Sequence, residues 1–176
     1  MRALVVYESM FGNTRITAEA IAVGLSTESM DVEASEVSVT SAQLDADVDL
    51  LVVGAPTHTF TLSRTDTRAS AAEQAPRPIV SPGIGLREWL DDLAPNGSVA
   101  VAAFDSHVDK KVPGSASRSA TRRLRRRGYR AIVPPESFYV SGMQGPLVTG
   151  EIDRARAWGA KLGAALRSQR TASATG

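Results

Sequence analysis

Ala3-Leu4-Val5-Val6-Tyr7-Glu8-Ser9-Met10-Phe11-Gly12-Asn13-Thr14 decides how the rest of the chain is read. Five apolar residues in a row have the pattern of a strand covered on both faces. The stretch then turns through hydroxyls and a glycine into residues spaced as a helix. A strand that ends this way at a helix N-terminus forms a ready anion site, because the first N–H groups of the helix lack internal partners and its dipole end is positive. Ser9 and Thr14 add hydroxyls, Asn13 adds an amide, and Gly12 lets the backbone approach a ligand. The same residues also serve as ordinary capping chemistry, so the turn alone leaves both uses open.

Working outward, helical spacing runs from Asn13 through Ile16, Ala20 and Val23, with Arg15 and Glu19 placed as an i,i+4 ion pair. Asp31–Val39 alternates like an edge strand. Asp49–Gly54 and Ser98–Phe104 are continuous apolar runs, and Tyr129–Val133 supplies a fifth strand that can extend past Pro134-Pro135 into Ser137–Val140. Ile84–Leu93, Ser115–Arg127 and Glu151–Leu166 carry helix patterns between and after them. Strands alternating with helices predict right-handed parallel βαβ units, hence a three-layer, doubly wound α/β domain. Five such strands fit the order 2-1-3-4-5. One domain over 1–167 is expected, interrupted by a long, polar, proline-containing flexible loop over 65–82 in which Thr67–Gln74 can form a short helix. The small, polar stretch 168–176 is expected to be a disordered tail.

Composition narrows the chemistry. The 176 residues are 43% hydrophobic and 22% charged, as in a soluble globular domain, and no apolar run is long enough to span a bilayer. No N-terminal targeting pattern is visible, so a cytoplasmic location is the default. Cysteine is absent, which excludes disulfides, thiol catalysis and cysteine-held iron–sulfur clusters; two histidines give no metal-ligand spacing. No nucleophile–base pair or paired carboxylates stand out either. Any electrons handled here must sit on an organic group.

The first turn lacks the three spaced glycines of a dinucleotide fingerprint and the Gly-Lys-Ser/Thr ending of a triphosphate loop. Ser9-Met10-Phe11-Gly12-Asn13-Thr14 resembles instead the phosphate loop of flavodoxins, roughly S/T-x-T-G-x-T, keeping Ser9, Gly12 and Thr14 and departing at Phe11, where a hydroxyl is usual. The Ser-Met-aromatic-Gly order is also similar to flavodoxin-like NAD(P)H:quinone oxidoreductases. The resemblance spans roughly residues 2–166. It implies noncovalent FMN, with its phosphate on Ser9–Thr14, and electron transfer to a redox partner protein; the other branch implies NAD(P)H and a quinone as partners, and Phe11 with no aromatic after Phe104 leaves a third reading, a flavin-free flavodoxin-fold binding module.

In that family the loop after the third strand often begins G-x-P-x and wraps the flavin ring; Gly54 and Pro56 match it. The resemblance therefore implies ring contacts from Pro56, Thr57, His58, Thr59 and Phe60, with Phe60 or His58 over one face. The loop after the fourth strand would add Phe104, Asp105 and His107. No aromatic follows Phe104, so His107 is the nearest substitute for the family's outer ring cover. Asp105 is equally suited to capping its own turn.

Net charge is +1, whereas flavodoxin shuttles are commonly acidic. The positive charge concentrates in Arg118, Arg122, Arg123, Arg125, Arg126, Arg127 and Arg130. On a helix these form either a solvated face or a docking patch for an acidic partner or phosphates. Without interleaved aromatics, nucleic acid ranks low. Oligomeric state is left open by the sequence.

Overall fold

The structure is a computed structural model and describes residues 1–57, 60–108 and 113–174. Six parallel strands are β1 (Arg2–Tyr7), β2 (Asp31–Glu36), β3 (Val48–Pro56), β4 (Ala100–Val108), β5 (Arg130–Ala131) and β6 (Glu136–Val140). Their order is β2-β1-β3-β4-β5, with β6 also paired to β4. This is the predicted 2-1-3-4-5 order, its fifth strand delivered in two pieces. Pro134 and Pro135 have no N–H to give the ladder, so pairing stops at Ala131 and resumes where Glu136 lies opposite Phe104. The predicted edge strand Asp31–Val39 is shorter than expected. The Glu36 carboxylate takes the N–H of Ser38 at 2.8 Å and rolls Val37–Val39 into a 3₁₀ turn.

Alternation along the central strands feeds two cores. Leu4, Val6, Leu51, Val53, Val101 and Ala103 face α3 (Leu86–Asp92) and α4 (Ala116–Arg126), meeting Trp89, Leu90 and Leu124. Ala3, Val5, Leu50, Val52 and Phe104 face α1 (Asn13–Ser26) and α5 (Glu151–Ala174), meeting Ile21, Leu25, Trp158 and Leu162. Each fully buried Leu or Val here contributes about 1.5–3 kcal/mol. Phe104, Phe138 and Trp158 stack edge-to-face with centroids 6.0–6.3 Å apart. Gly54 makes room for them: a Cβ there would stand 2.0 Å from Phe104 Cζ.

At Gly24 and Gly159 the backbones of α1 and α5 approach too closely for any side chain. A Cβ on Gly24 would lie 2.0 Å from the Arg156 carbonyl oxygen, and one on Gly159 would lie 2.2 Å from that of Ile21. This crossing fixes where the N-terminus of α1 points.

The short helix expected at Thr67–Gln74 is present, and the last helix runs further than its apolar pattern. Within 65–82, α2 (Thr65–Gln74) is a full helix, tied down by Arg68, whose guanidinium meets Glu88 at 3.1 Å and Ser63 Oγ at 3.0 Å. Past residue 167 the last helix continues to Ala174 rather than ending in a disordered tail. Arg170 pairs with Asp49 at 2.9 Å and Arg167 with Glu28, so the polar turns are held to the body by charge rather than by an apolar stripe.

Candidate functional site

Strand order reverses between β1 and β3, and the segments leaving their carboxyl ends diverge to opposite faces of the sheet. Such a crevice is where ligands bind in open α/β sheets. A cavity of about 260 Å³ lies there. Its floor and one wall come from Ser9, Met10, Phe11, Asn13 and Thr14. Pro56 and Thr57 of the β3 end form a second side. Among the described residues, no lining side chain carries a charge.

The turn at its base is built by Ser9. The buried Ser9 hydroxyl accepts the N–H groups of Gly12 at 3.1 Å and Arg15 at 3.4 Å. Gly12 sits at φ +91°, a conformation that strains any L side chain, while a Cβ there would meet nothing within 4 Å. Glycine is needed for the bend, and the space beside it is open. The N–H groups of Phe11, Asn13 and Thr14 have no protein acceptor among the described residues. They form the amide-lined cup expected of this turn. Thr14 Oγ1 and Ser106 Oγ are 2.7 Å apart, joining the cup to β4.

The segment beyond β3 closes one side of the cavity. Val80 N–H donates to Met10 O and Ser81 N–H to Ser9 O, while Ser81 Oγ takes the Ser9 N–H at 2.9 Å. α2 then presents Thr67, Ser70, Ala71 and Gln74 to the cavity. Above the helix end, Gln144 Nε2 donates to Gln74 O, and Asn13 Nδ2 donates to Gln144 O, each at 3.1 Å. The Asn13 side chain is thus spent on the rim.

The predicted ring-contact residues divide. Pro56 and Thr57 line the cavity; His58 and Thr59 lie outside the described residues, as do residues 109–112 of the third loop. Phe60 does not line it. It is 51% exposed at φ +71°, packed against Gly114. Phe104 lies in the core, 1% exposed beside Phe138 and Trp158. Strand alternation sets the directions of Asp105 and His107, because Ser106 faces the cavity and its neighbours must face away. Asp105 points to α4, where its Oδ2 accepts from Ser115 Oγ at 2.5 Å, Ser117 N–H at 2.9 Å and Thr57 Oγ1 at 3.1 Å. His107 packs edge-on against Tyr139, centroids 6.4 Å apart. Ser106 and the α2 face were missed. The first was legible as the residue two past Phe104, and the second as small and polar residues at 67, 70, 71 and 74, one side of a helix.

Glu8, one residue ahead of the cup, turns away from it. Fully buried, its Oε1 accepts from Ser63 Oγ at 2.5 Å and its Oε2 from the Leu86 N–H at 2.7 Å. Burial pushes the Glu8 carboxyl above the usual carboxylate range, opposed by those two hydrogen bonds and by Arg68. Burial would raise Glu88 as well. Hydrogen bonds from its own backbone N–H, from Arg68 and from Gly85 outweigh it and hold Glu88 below that range. Since the folded value of Glu8 exceeds the unfolded one, its contribution to stability is complete below the unfolded value and is lost as pH rises through the folded one. The stability of the wild type minus that of Glu8→Gln should therefore fall as pH climbs from acid toward neutral. Urea midpoints across that range measure it, and a difference that grows with pH would contradict it.

No group of three or more acidic or histidine side chains that could hold a metal is present among the described residues, and no helix there is long and apolar enough to cross a membrane. No family model and no curated protein matches the chain. Solved structures do. A flavodoxin from the domain Archaea is 19% identical over 95% of this chain and 99% of its own, with a TM-score of 0.64. The Streptococcus pneumonia TIGR4 flavodoxin is 17% identical over 93% and 99%, with a TM-score of 0.67. Oxidised flavodoxin 1 from Bacillus cereus is 16% identical over 96% and 98%, with a TM-score of 0.65. With near-complete coverage on both sides and a helix-flanked parallel sheet of order 2-1-3-4-5, this chain has the flavodoxin-like fold.

Proposed function

We propose that the chain binds FMN noncovalently in the β1/β3 crevice and passes electrons between it and a redox partner in the cytoplasm. The observation that carries this reading is the cup itself: three N–H groups without protein acceptors, beside an open glycine, in a cavity lined by no carboxylate, all among the described residues. That donor set fits a phosphate monoester. The bound flavin supplies the one- or two-electron chemistry.

The chain's own residues supply position and shelter. The N–H groups of Phe11, Asn13 and Thr14 hold the anionic end, and Ser9 keeps the turn in the shape that aims them. Thr14 and Ser106 present a pair of hydroxyls that exchange one hydrogen bond and retain capacity for another partner. Phe11, Val108, Val140 and Met143 give the cavity apolar surface suited to a flat ring and exclude water from it.

Titration of the purified protein with FMN should quench flavin fluorescence at micromolar concentrations. Ser9→Ala combined with Thr14→Ala should weaken binding by about 1–3 kcal/mol, since the first releases the turn and the second removes a hydroxyl. Absence of quenching in the wild type would remove the cofactor from this reading.

A further inference from the structure

The outer face of α4 is a stripe of unpaired arginines. Arg118, Arg122, Arg125 and Arg126 are all exposed, and their spacing places them on one side of the helix, about 12 Å from end to end. None of their guanidinium groups has a partner among the described residues. Their neighbours do: Arg123 pairs with Asp91, and Arg127 donates to the Leu93 and Asp91 carbonyls. Elsewhere on the surface Arg2, Arg15, Arg156, Arg167 and Arg170 each face a carboxylate, while exposed Arg64, Arg77 and Arg130 face none among the described residues. No Asp or Glu occurs between Asp109 and Glu136, so the sequence supplies the stripe with no local counter-charge.

Helix electrostatics account for only part of this. Cations at a helix C-terminus are favoured by the dipole, which covers Arg125 and Arg126. Arg118 stands in the first turn, where the dipole opposes it, and Arg118, Arg122 and Arg126 repeat at i,i+4, where like charges cost a few tenths of a kcal/mol per pair. Positive charge continues toward α3: burial lowers Arg87 first, and Arg123 and Arg64 lower it further.

At the upper end of the stripe stands Phe60, half exposed at positive φ, with its backbone against Gly114 and with Thr61 bonded to Ser119 of α4 at 3.1 Å. An exposed aromatic beside several free arginines has the composition of a protein–protein interface. The start of α4 is also the part nearest the cavity, since Ser115 binds Asp105 next to cavity-lining Ser106.

We propose that this face, Phe60 with Arg118, Arg122, Arg125 and Arg126, docks an acidic redox protein. The redox character of the partner rests on the proposed function; the acidic character rests on the stripe alone. Nucleic acid is disfavoured by a net charge of +1 and a sequence pI of 8.1, lower than a dedicated phosphate-backbone binder carries, and by the single aromatic.

The test uses an acidic [2Fe–2S] ferredoxin as probe, with a DNA duplex as comparator. Binding to the intact protein is followed by calorimetry, both as colourless protein and after addition of FMN. The ferredoxin should bind either form and weaken steeply with salt. R118E/R122E/R125E/R126E should lose about a hundredfold, and the neutral pair R118Q/R122Q an intermediate amount. R15E, on a helix away from the stripe, should bind as wild type does, and F60A should weaken binding with the salt dependence retained. Unchanged thermal melts in the fully exposed arginine variants guard against unfolding. The proposal is overturned by ferredoxin that ignores the wild type, by equal binding to the fourfold variant, or by tighter binding of the duplex. Because docking is read on colourless protein too, failure to bind FMN would sink the functional reading without touching this one.

Discussion

Gly159→Leu should destabilise the protein by about 3 kcal/mol and weaken FMN binding along with it. Alanine normally gains about 1 kcal/mol over glycine inside a helix. At this position that gain is overwhelmed, because the atom a new Cβ would strike, 2.2 Å away, is the backbone carbonyl oxygen of Ile21, which cannot swing aside as a side chain tip can. Leucine adds branches to the same collision and forces α1 and α5 apart along a contact that buries Ile21, Leu25, Trp158 and Leu162. Displacement of α1 carries its N-terminal amides with it, so ligand affinity and stability should fall together. Gly163→Ala is the milder comparison. Its Cβ would meet Glu28 Cβ at 2.7 Å and Cγ at 2.9 Å, and since Glu28 Cβ rides on the backbone the substitution should still cost stability despite the helix-propensity gain, though less than leucine against a backbone oxygen at 2.2 Å. Urea unfolding of the two variants separates the cases. Equal midpoints would mean the crossing is not as close as described.

Sheet order and the bend of the first turn were legible because both are written in local sequence. Short, partly β-branched apolar runs such as 50–53 read as strands covered on two faces, and the positive φ at position 12 of the turn 8–14 favours the glycine found there. What sequence could not supply was direction. Phe104, Asp105 and His107 lie on the fourth strand itself rather than in the loop after it, and strand alternation, pinned by Phe104 in the core, sends 105 and 107 to the α4 side and leaves Ser106 for the cavity. Local pattern offered a helix over Thr67–Gln74 but not what holds α2 in place. Its residues are polar nearly all round, and what holds it is one buried guanidinium from Arg68, a tertiary contact with no periodic signature. The extension of the last helix to Ala174 was hidden for the same reason, since ion pairs to Glu28 and Asp49 stand in for an apolar stripe.

Glu8→Leu should prove at least as damaging, costing about 3–5 kcal/mol although leucine is an apolar residue entering a buried site. The loss arises from what is left behind. The Leu86 N–H opens α3 and has Glu8 Oε2 as its acceptor; Ser63 Oγ sits between Glu8 and Arg68; and Arg68 itself is only 7% exposed. Removing the carboxylate orphans a buried amide and withdraws a negative charge from beside a buried cation. Arg68 retains Glu88, which is why the outcome is a destabilised fold rather than a missing one. Glu8→Gln keeps an acceptor for one of the two donors and should cost roughly half as much. Since Arg68 is the tie of α2 to the body, and α2 walls the cavity, proteolysis within 65–82 should accelerate in Glu8→Leu before global unfolding is reached. Were Glu8→Leu as stable as the wild type with 65–82 equally protected, the carboxylate would be a passenger, and the wall of the cavity would have to be held by the pairing of Val80 and Ser81 with the first turn alone.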